Sequence, residues 1–179
     1  SSMVIGYFSP FLTTLTIRGG DLPFGCLIDC PFKTVELDKS IKSIGDCAFM
    51  NSYFLEEVKI PLDSQLTYIG ERSFSYLKIV ESLYIPAGIE FLSDYTFLNS
   101  PKLKTVEFAR NDLIKSIGVA CFHGSDIESI TLPVSVETIG EMAFASSKVK
   151  NIIIPNNVAM LGSGAFMYCA ELESVTFEQ

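Results

Sequence analysis

The chain has 179 residues, 48% of them hydrophobic and 19% charged, with a net charge of -8 and a pI near 4.6. That length supports one domain with a sizeable core, and that composition argues against disorder. The acidic balance repels nucleic-acid phosphates and anionic lipid, so neither is expected as a partner. No apolar run reaches the roughly 18–20 residues of a membrane helix, so no membrane insertion is expected.

The opening residues, Ser1 to Gly6, lack the basic start and long apolar segment of a signal peptide. Residues 1–31 are irregular. Leu12, Leu15 and Ile17 resemble the start of a repeating unit, but Gly19, Gly20, Pro23, Gly25 and Pro31 interrupt the rest of it. We assign 1–31 to a degenerate N-terminal repeat or cap, because the end of a repeat stack must cover apolar surface that a neighbour would otherwise bury. The five cysteines make an odd count and no dense disulfide framework. Cys26 and Cys30 are the one pair whose bonding the sequence leaves open, with free thiols favoured.

From Phe32 the text becomes periodic. Six units begin at Phe32, Leu55, Val80, Leu103, Ile127 and Val149, spanning 32–171, and a truncated seventh occupies 172–179. Their anchors are Phe49, Phe74, Phe97, Phe122, Phe144 and Phe166, spaced 25, 23, 25, 22 and 22 residues apart. Such a period marks a stacked repeat architecture. Each unit opens with apolar residues spaced 3 and then 2, as in Leu55, Val58 and Ile60; the closing alternation predicts a half-buried strand. Proline ends that strand at Pro61, Pro86, Pro133 and Pro155, since it cannot donate to a ladder.

An apolar pair three apart comes next, such as Ile41 and Ile44, and should reach the same core from the opposite wall. Glycine closes five of these pairs, at Gly45, Gly70, Gly118, Gly140 and Gly162, while Ser93 stands in the third. A turn with positive φ is expected there. Around each phenylalanine the residues are small, which predicts a short helical or 3₁₀ turn, with the rings stacked as a spine.

One coil cannot bury its own apolar face, so the units stack into a solenoid with parallel strands about 4.8 Å apart. The predicted fold is an α/β repeat: a right-handed solenoid with a parallel β-sheet on one wall and short helical turns opposite. The text Leu-x-x-Val-x-Ile-Pro…Ile-Gly-x-x-Ala-Phe resembles the BspA-like leucine-rich repeat family over about 32–179. That resemblance implies a leucine-rich repeat fold. It also implies a non-enzymatic module at a cell surface, or secreted, that adheres to or binds host or cell-surface proteins and glycoproteins. Family units often carry cysteine three residues after the phenylalanine. Here only Cys169 does, which argues against a cysteine ladder.

The residues between the inward ones of each strand must face out. One outward column carries Glu36, Lys59, Tyr84, Glu107, Thr131 and Ile153, and we take these as the candidate protein-binding residues. Open sheet faces serve repeat proteins as binding surfaces, and tyrosine is favoured at interface hot spots. The bland alternative is a solvated face on a structural spacer or intracellular scaffold. A preceding column mixes charges through Lys33, Glu56, Glu81, Lys104, Glu128, Lys150 and Glu173, and neighbours of opposite sign should pair.

Chemistry finds little support. His123 is the single histidine, and with Cys121 it supplies too few ligands for zinc. Cys121 sits in the small buried column rather than in a cleft, so no nucleophile is assigned. No phosphate loop, dinucleotide fingerprint or calcium loop occurs, and no metal or cofactor is expected. The strand at Leu172–Phe177 has no coil beyond it in this sequence, as in an excised fragment. Its free edge predicts end-to-end homodimers of this fragment, or capping by residues that the fragment lacks.

Overall fold

The computed structural model describes residues 12–110 and 113–179. Thirteen short strands succeed one another in chain order: β1 (Thr14–Ile17), β2 (Thr34–Leu37), β3 (Ser43–Ile44), β4 (Glu57–Lys59), β5 (Tyr68–Ile69), β6 (Ser82–Ile85), β7 (Phe91–Leu92), β8 (Thr105–Phe108), β9 (Ser116–Ile117), β10 (Thr138–Ile139), β11 (Asn151–Ile154), β12 (Met160–Leu161) and β13 (Ser174–Phe177). All pairings are parallel and join one coil to the next: Val35 lies beside Val58, and Leu83 beside Val106. The result is a parallel β-solenoid. We number its coils 0 to 6, coil 0 starting at β1 and coil 6 at β11. Longer strands form the front wall and two-residue strands the back wall.

The core follows from the alternation. Val35, Leu37, Val58, Ile60, Leu83, Ile85, Ile152 and Ile154 point in from the front, and Ile44, Ile69, Leu92, Ile117 and Ile139 point in from the back. Phe49, Phe74, Phe97, Phe122 and Phe144 are completely buried between them. Their rings stack near parallel at centroid distances of 5.1, 5.7, 5.3 and 5.3 Å, and Phe166 continues the column at 5.6 Å. The predicted spine is present.

The wall around these rings is not helical. No helix occurs among the described residues. Instead φ turns positive two residues before and two residues after each phenylalanine: Cys47 and Asn51, Arg72 and Tyr76, Tyr95 and Asn99, Ala120 and Gly124, Met142 and Ser146, Gly164 and Tyr168. A backbone interrupted by positive φ at such close intervals cannot hold the helical dihedrals that 3₁₀ or α turns need. What it does instead is aim every second N–H along the solenoid axis. Arg72, Phe74 and Tyr76 donate to the carbonyls of Asp94, Thr96 and Leu98; Tyr95, Phe97 and Asn99 donate to those of Val119, Cys121 and His123. Three such bonds cross every joint from coil 0 to coil 6. Non-glycine residues seldom adopt positive φ, and this ladder offsets the strain.

The glycine column also differs from expectation. None of Gly45, Gly70, Gly118, Gly140 and Gly162 has positive φ. The constraint is proximity. A Cβ on Gly140 would lie 2.6 Å from the carbonyl carbon of Gly118, and one on Gly118 would lie 2.6 Å from that of Ser93. Each glycine N–H donates to the coil before it, as from Gly118 to Leu92 and from Gly140 to Ile117. The small column three residues past the phenylalanine has a matching role. Ser52 donates to Leu27 O and Ser100 to Phe74 O, and each hydroxyl accepts a backbone N–H of the earlier coil.

Candidate functional site

The front wall is where outward side chains vary, and it is not continuous. Its strands fall into three ladders: β1-β2-β4, β6-β8 and β11-β13. Each break comes after a longer coil, with phenylalanine spacings of 25 across Phe49 to Phe74 and Phe97 to Phe122. Coils of unequal perimeter cannot stay in register all the way round. With the turn ladder unbroken, the mismatch falls on the strand walls.

The second break leaves a distinctive place. Residues 129–132 have the sequence of a front strand but join no ladder. Among the described residues no backbone hydrogen bond ties them to β8, and the backbone hydrogen bond from coil 6 to this region runs from Lys150 N–H to Glu128 O, just before the segment. Ile130 is half-buried, whereas its equivalents Leu83 and Ile152 are buried. A cavity of about 510 Å³ lies between β8 and this segment, lined by Glu107, Arg110 and Thr131 among others. A second of about 290 Å³ lies on the other side, lined by Thr131, Ile153 and Thr176 among others. Backbone groups without ladder partners therefore sit between two concavities on an open face.

The six predicted residues divide between the two ends of the wall. Glu36 and Lys59 meet at 2.9 Å on neighbouring strands. The ammonium beside Glu36 holds its carboxyl below the usual carboxylate range, and Lys59 is raised in turn by Glu36. Tyr84 was expected to stand exposed; it is half-buried and packs against the core. Glu107, Thr131 and Ile153 are exposed, and they are the three that line the cavities. Around them the outward residues Ser129, Asn151, Ser174 and Thr176 carry no charge. The expected ion pairs form along the edge column, between Lys33 and Glu56, Lys104 and Glu81, and Lys150 and Glu128. The front wall thus runs from the Glu36–Lys59 pair to a largely neutral end, where Glu107, Arg110 and Glu178 are the charged cavity-lining residues and Ile153, 56% exposed, is an apolar projection.

Burial pushes the Cys121 thiol up, which disfavours the thiolate a nucleophile needs. The five cysteines are free thiols, and burial also raises Cys26 and Cys30. Among the described residues, no group of three or more His, Cys, Asp or Glu side chains is placed to hold a metal ion, and no helix is long and apolar enough to cross a membrane.

The sequence pattern of the BspA type leucine rich repeat region matches residues 21–113 and 110–179, in six copies. The chain belongs to the BspA-type leucine-rich repeat family. Its solenoid is a leucine-rich repeat fold, similar to that of a leucine rich cell surface protein from Faecalibacterium prausnitzii (TM-score 0.64, 21% identity, 92% of this chain and 47% of that one). It is also similar to the pneumococcal vaccine antigen PcpA (TM-score 0.60, 21% identity, 94% and 41%). A leucine-rich repeat protein from Bacteroides ovatus gives TM-score 0.52 at 17% identity, over 93% and 64% of the two chains. The BspA-type chain therefore spans less than two thirds of each of these structures. No curated protein matches it.

Proposed function

We propose that this chain is a protein-binding or adhesion module displayed at a cell surface, and that it engages host or cell-surface proteins and glycoproteins through the neutral end of its front wall. The unladdered segment 129–132, flanked by cavities lined by Glu107, Thr131 and Ile153, carries the reading. A polypeptide partner can use free backbone groups there for hydrogen bonds and place a side chain in either concavity. Ile153 supplies an apolar contact within a ring of hydroxyls and amides, the composition of a small binding patch. Surface display is supported by the names of the similar structures, a cell surface protein and a vaccine antigen.

The test is binding of immobilised protein to a panel of matrix and plasma glycoproteins, with wild type beside Thr131→Lys/Ile153→Lys. Both positions are exposed, so folding should persist, and circular dichroism checks it. At least a tenfold loss of affinity in the double variant is expected, with Lys59→Ala at the charged end unchanged. Equal binding by all three proteins removes the neutral end from recognition. No binding by wild type favours a structural spacer.

A further inference from the structure

The back wall has an outward column of its own. On coils 1 to 5 it reads Ser43, Tyr68, Phe91, Ser116 and Thr138. Three of these are small and hydroxylated, as a solvated strand surface requires. The other two are aromatic and stand on neighbouring coils, Tyr68 46% exposed and Phe91 57% exposed. Exposed apolar side chains scattered singly need no explanation, whereas grouped ones mark interaction surfaces.

The same two coils are those between which the back-wall ladder stops. Strands pair from β3 to β5 and again from β7 through β9 and β10, but not from β5 to β7. Where the ladder is intact, the residue before the outward one donates to the preceding coil, as Thr67 does to Lys42 O, Lys115 to Glu90 O and Glu137 to Lys115 O. The corresponding groups at the break, Glu90 N–H and Thr67 O, have no backbone partner among the described residues. An open donor and an open acceptor thus lie beside the two exposed rings.

The charge left over at this place has one sign. Glu90 precedes Phe91 and Asp94 follows it by three residues; both are exposed, and among the described residues neither meets a cation at ion-pair distance. Arg72 is engaged by Glu71 and by the Tyr95 ring, and Lys115 by Glu137 at 2.9 Å. Lys42 belongs to coil 1, on the far side of Thr67 from Glu90. Asp94 gives one oxygen to Val119 N–H at 2.7 Å and keeps the other open, while Asp46 accepts the Tyr68 hydroxyl at 2.7 Å and so holds that ring in place.

We propose that this part of the back wall is a docking surface for an arginine-bearing segment of a partner protein. A guanidinium stacks on aromatic faces and meets carboxylates with a fork of donors, and its stem covers apolar surface. Tyr68 and Phe91 supply the rings, Glu90 and Asp94 the carboxylates, and the open groups of Thr67 and Glu90 receive the segment's main chain. The net charge of -8 draws basic partners to the whole solenoid, and the rings decide where the arginine settles. The surface lies on the wall opposite the front face, so occupation of one leaves the other free.

Fluorescence anisotropy at low salt tests this with a short labelled peptide of alternating threonine and arginine, beside the same peptide carrying citrulline for arginine. Wild type is expected to bind the arginine peptide about tenfold more tightly than its neutral analogue. Phe91→Ser installs the residue type of coils 1 and 4 and should weaken binding about fivefold. Glu90→Gln/Asp94→Asn should weaken it about tenfold, the asparagine keeping an oxygen for Val119. Glu56→Gln/Glu81→Gln removes the same charge from the front-wall edge and should bind as wild type does. Circular dichroism checks that each variant is folded. Failure of wild type to bind the arginine peptide would overturn the proposal, as would equal binding of the citrulline peptide. So would Phe91→Ser binding as wild type does, or equal losses in the two charge variants, which would mean attraction by net charge alone. A threonine–leucine peptide bound as tightly as the arginine one would make the face an apolar site and overturn the basic partner.

Discussion

The joint between coils 2 and 3 is built differently from the joint between coils 4 and 5. At the latter, Gly140 packs on the backbone of Gly118, its N–H bonds Ile117 O, and β9 pairs with β10. At the former, Ser93 replaces glycine. Its hydroxyl, not its N–H, reaches Ile69 O at 2.6 Å, and neither strand wall continues across the gap. A side chain at that position keeps the two backbones out of ladder reach, so the hydroxyl substitutes for the amide. The joint is then held by the turn ladder, the Phe74–Phe97 stack, the Ser100 hydroxyl, which donates to Phe74 O and accepts from Leu77 N–H, and the Arg72 guanidinium, 4.2 Å over the Tyr95 ring. The solenoid is thus continuous along its turn wall and segmented along its strands.

That contrast predicts unequal consequences for equivalent substitutions. Phe97→Ala removes a completely buried ring from the wall on which the 2/3 joint depends, and should cost about 3–5 kcal/mol. Because little else couples coils 0–2 to coils 3–6, urea unfolding should also split into two steps. Phe144→Ala should cost a similar amount and keep one transition. A single shared transition in both would mean that the open joint transmits cooperativity as well as the others.

Gly140→Ala comes next. Its added carbon would collide with backbone rather than with a flexible side chain. The loss should be about 2–3 kcal/mol, near the top of the usual overpacking range. Thermal unfolding measures it, and a change well below the usual overpacking cost, about 0.5 kcal/mol or less, would show that the close approach is not tight. The reciprocal change is milder. Ser93→Ala strands the Ile69 carbonyl and should cost about 1 kcal/mol, whereas Ser93→Gly should cost less, because its amide can move into the ladder. Hydrogen exchange sharpens the point: the Ser93 amide should exchange faster than those of Gly118 and Gly140, and Ser93→Gly should slow exchange at that site. Equal protection in wild type would contradict the open joint.

Much of this was legible in the residues. The period, the inward columns and the phenylalanine spine come from apolar spacing, and the structure has each of them. The edge ion pairs come from alternating charge in one column. The turn wall was not legible, because small residues flanking Phe97 and Phe122 suit a helical turn as well as a chain of alternating φ. Nothing in Arg72, Tyr95 or Met142 announces positive φ; a ladder between coils selects it. Glycine suggests backbone freedom, yet its cause here is contact with the preceding coil, a distinction only a neighbour in space can make. Tyr84 faces outward as the alternation requires, yet its ring lies against the core. The break at 129–132 left one trace in the sequence, the spacing of 25 between Phe97 and Phe122, but its own text is that of a good strand.

The smallest expected effect concerns the charge-paired end of the front wall. Hydrogen bonding and attraction from Lys59 lower Glu36; on the edge column at the opposite end of the wall, Lys150 does the same to Glu128. A lowered carboxyl contributes stability that is present above its unfolded value and lost as pH falls through its folded one. The contribution should therefore be constant at neutral pH and fade in the acid range below the ordinary carboxylate value. Lys59 and Lys150 are raised by the same contacts, so their share persists until pH rises beyond the ordinary lysine range. These side chains are well exposed, so the effect is modest and salt should screen it. Glu36→Gln should flatten part of the acid limb of a stability–pH curve at low salt and change little at high salt. If the acid limb of Glu36→Gln overlays that of wild type at low salt, the pair keeps strand register without adding stability, and the charged end of the wall is then a solvated edge beside the neutral surface that we assign to binding.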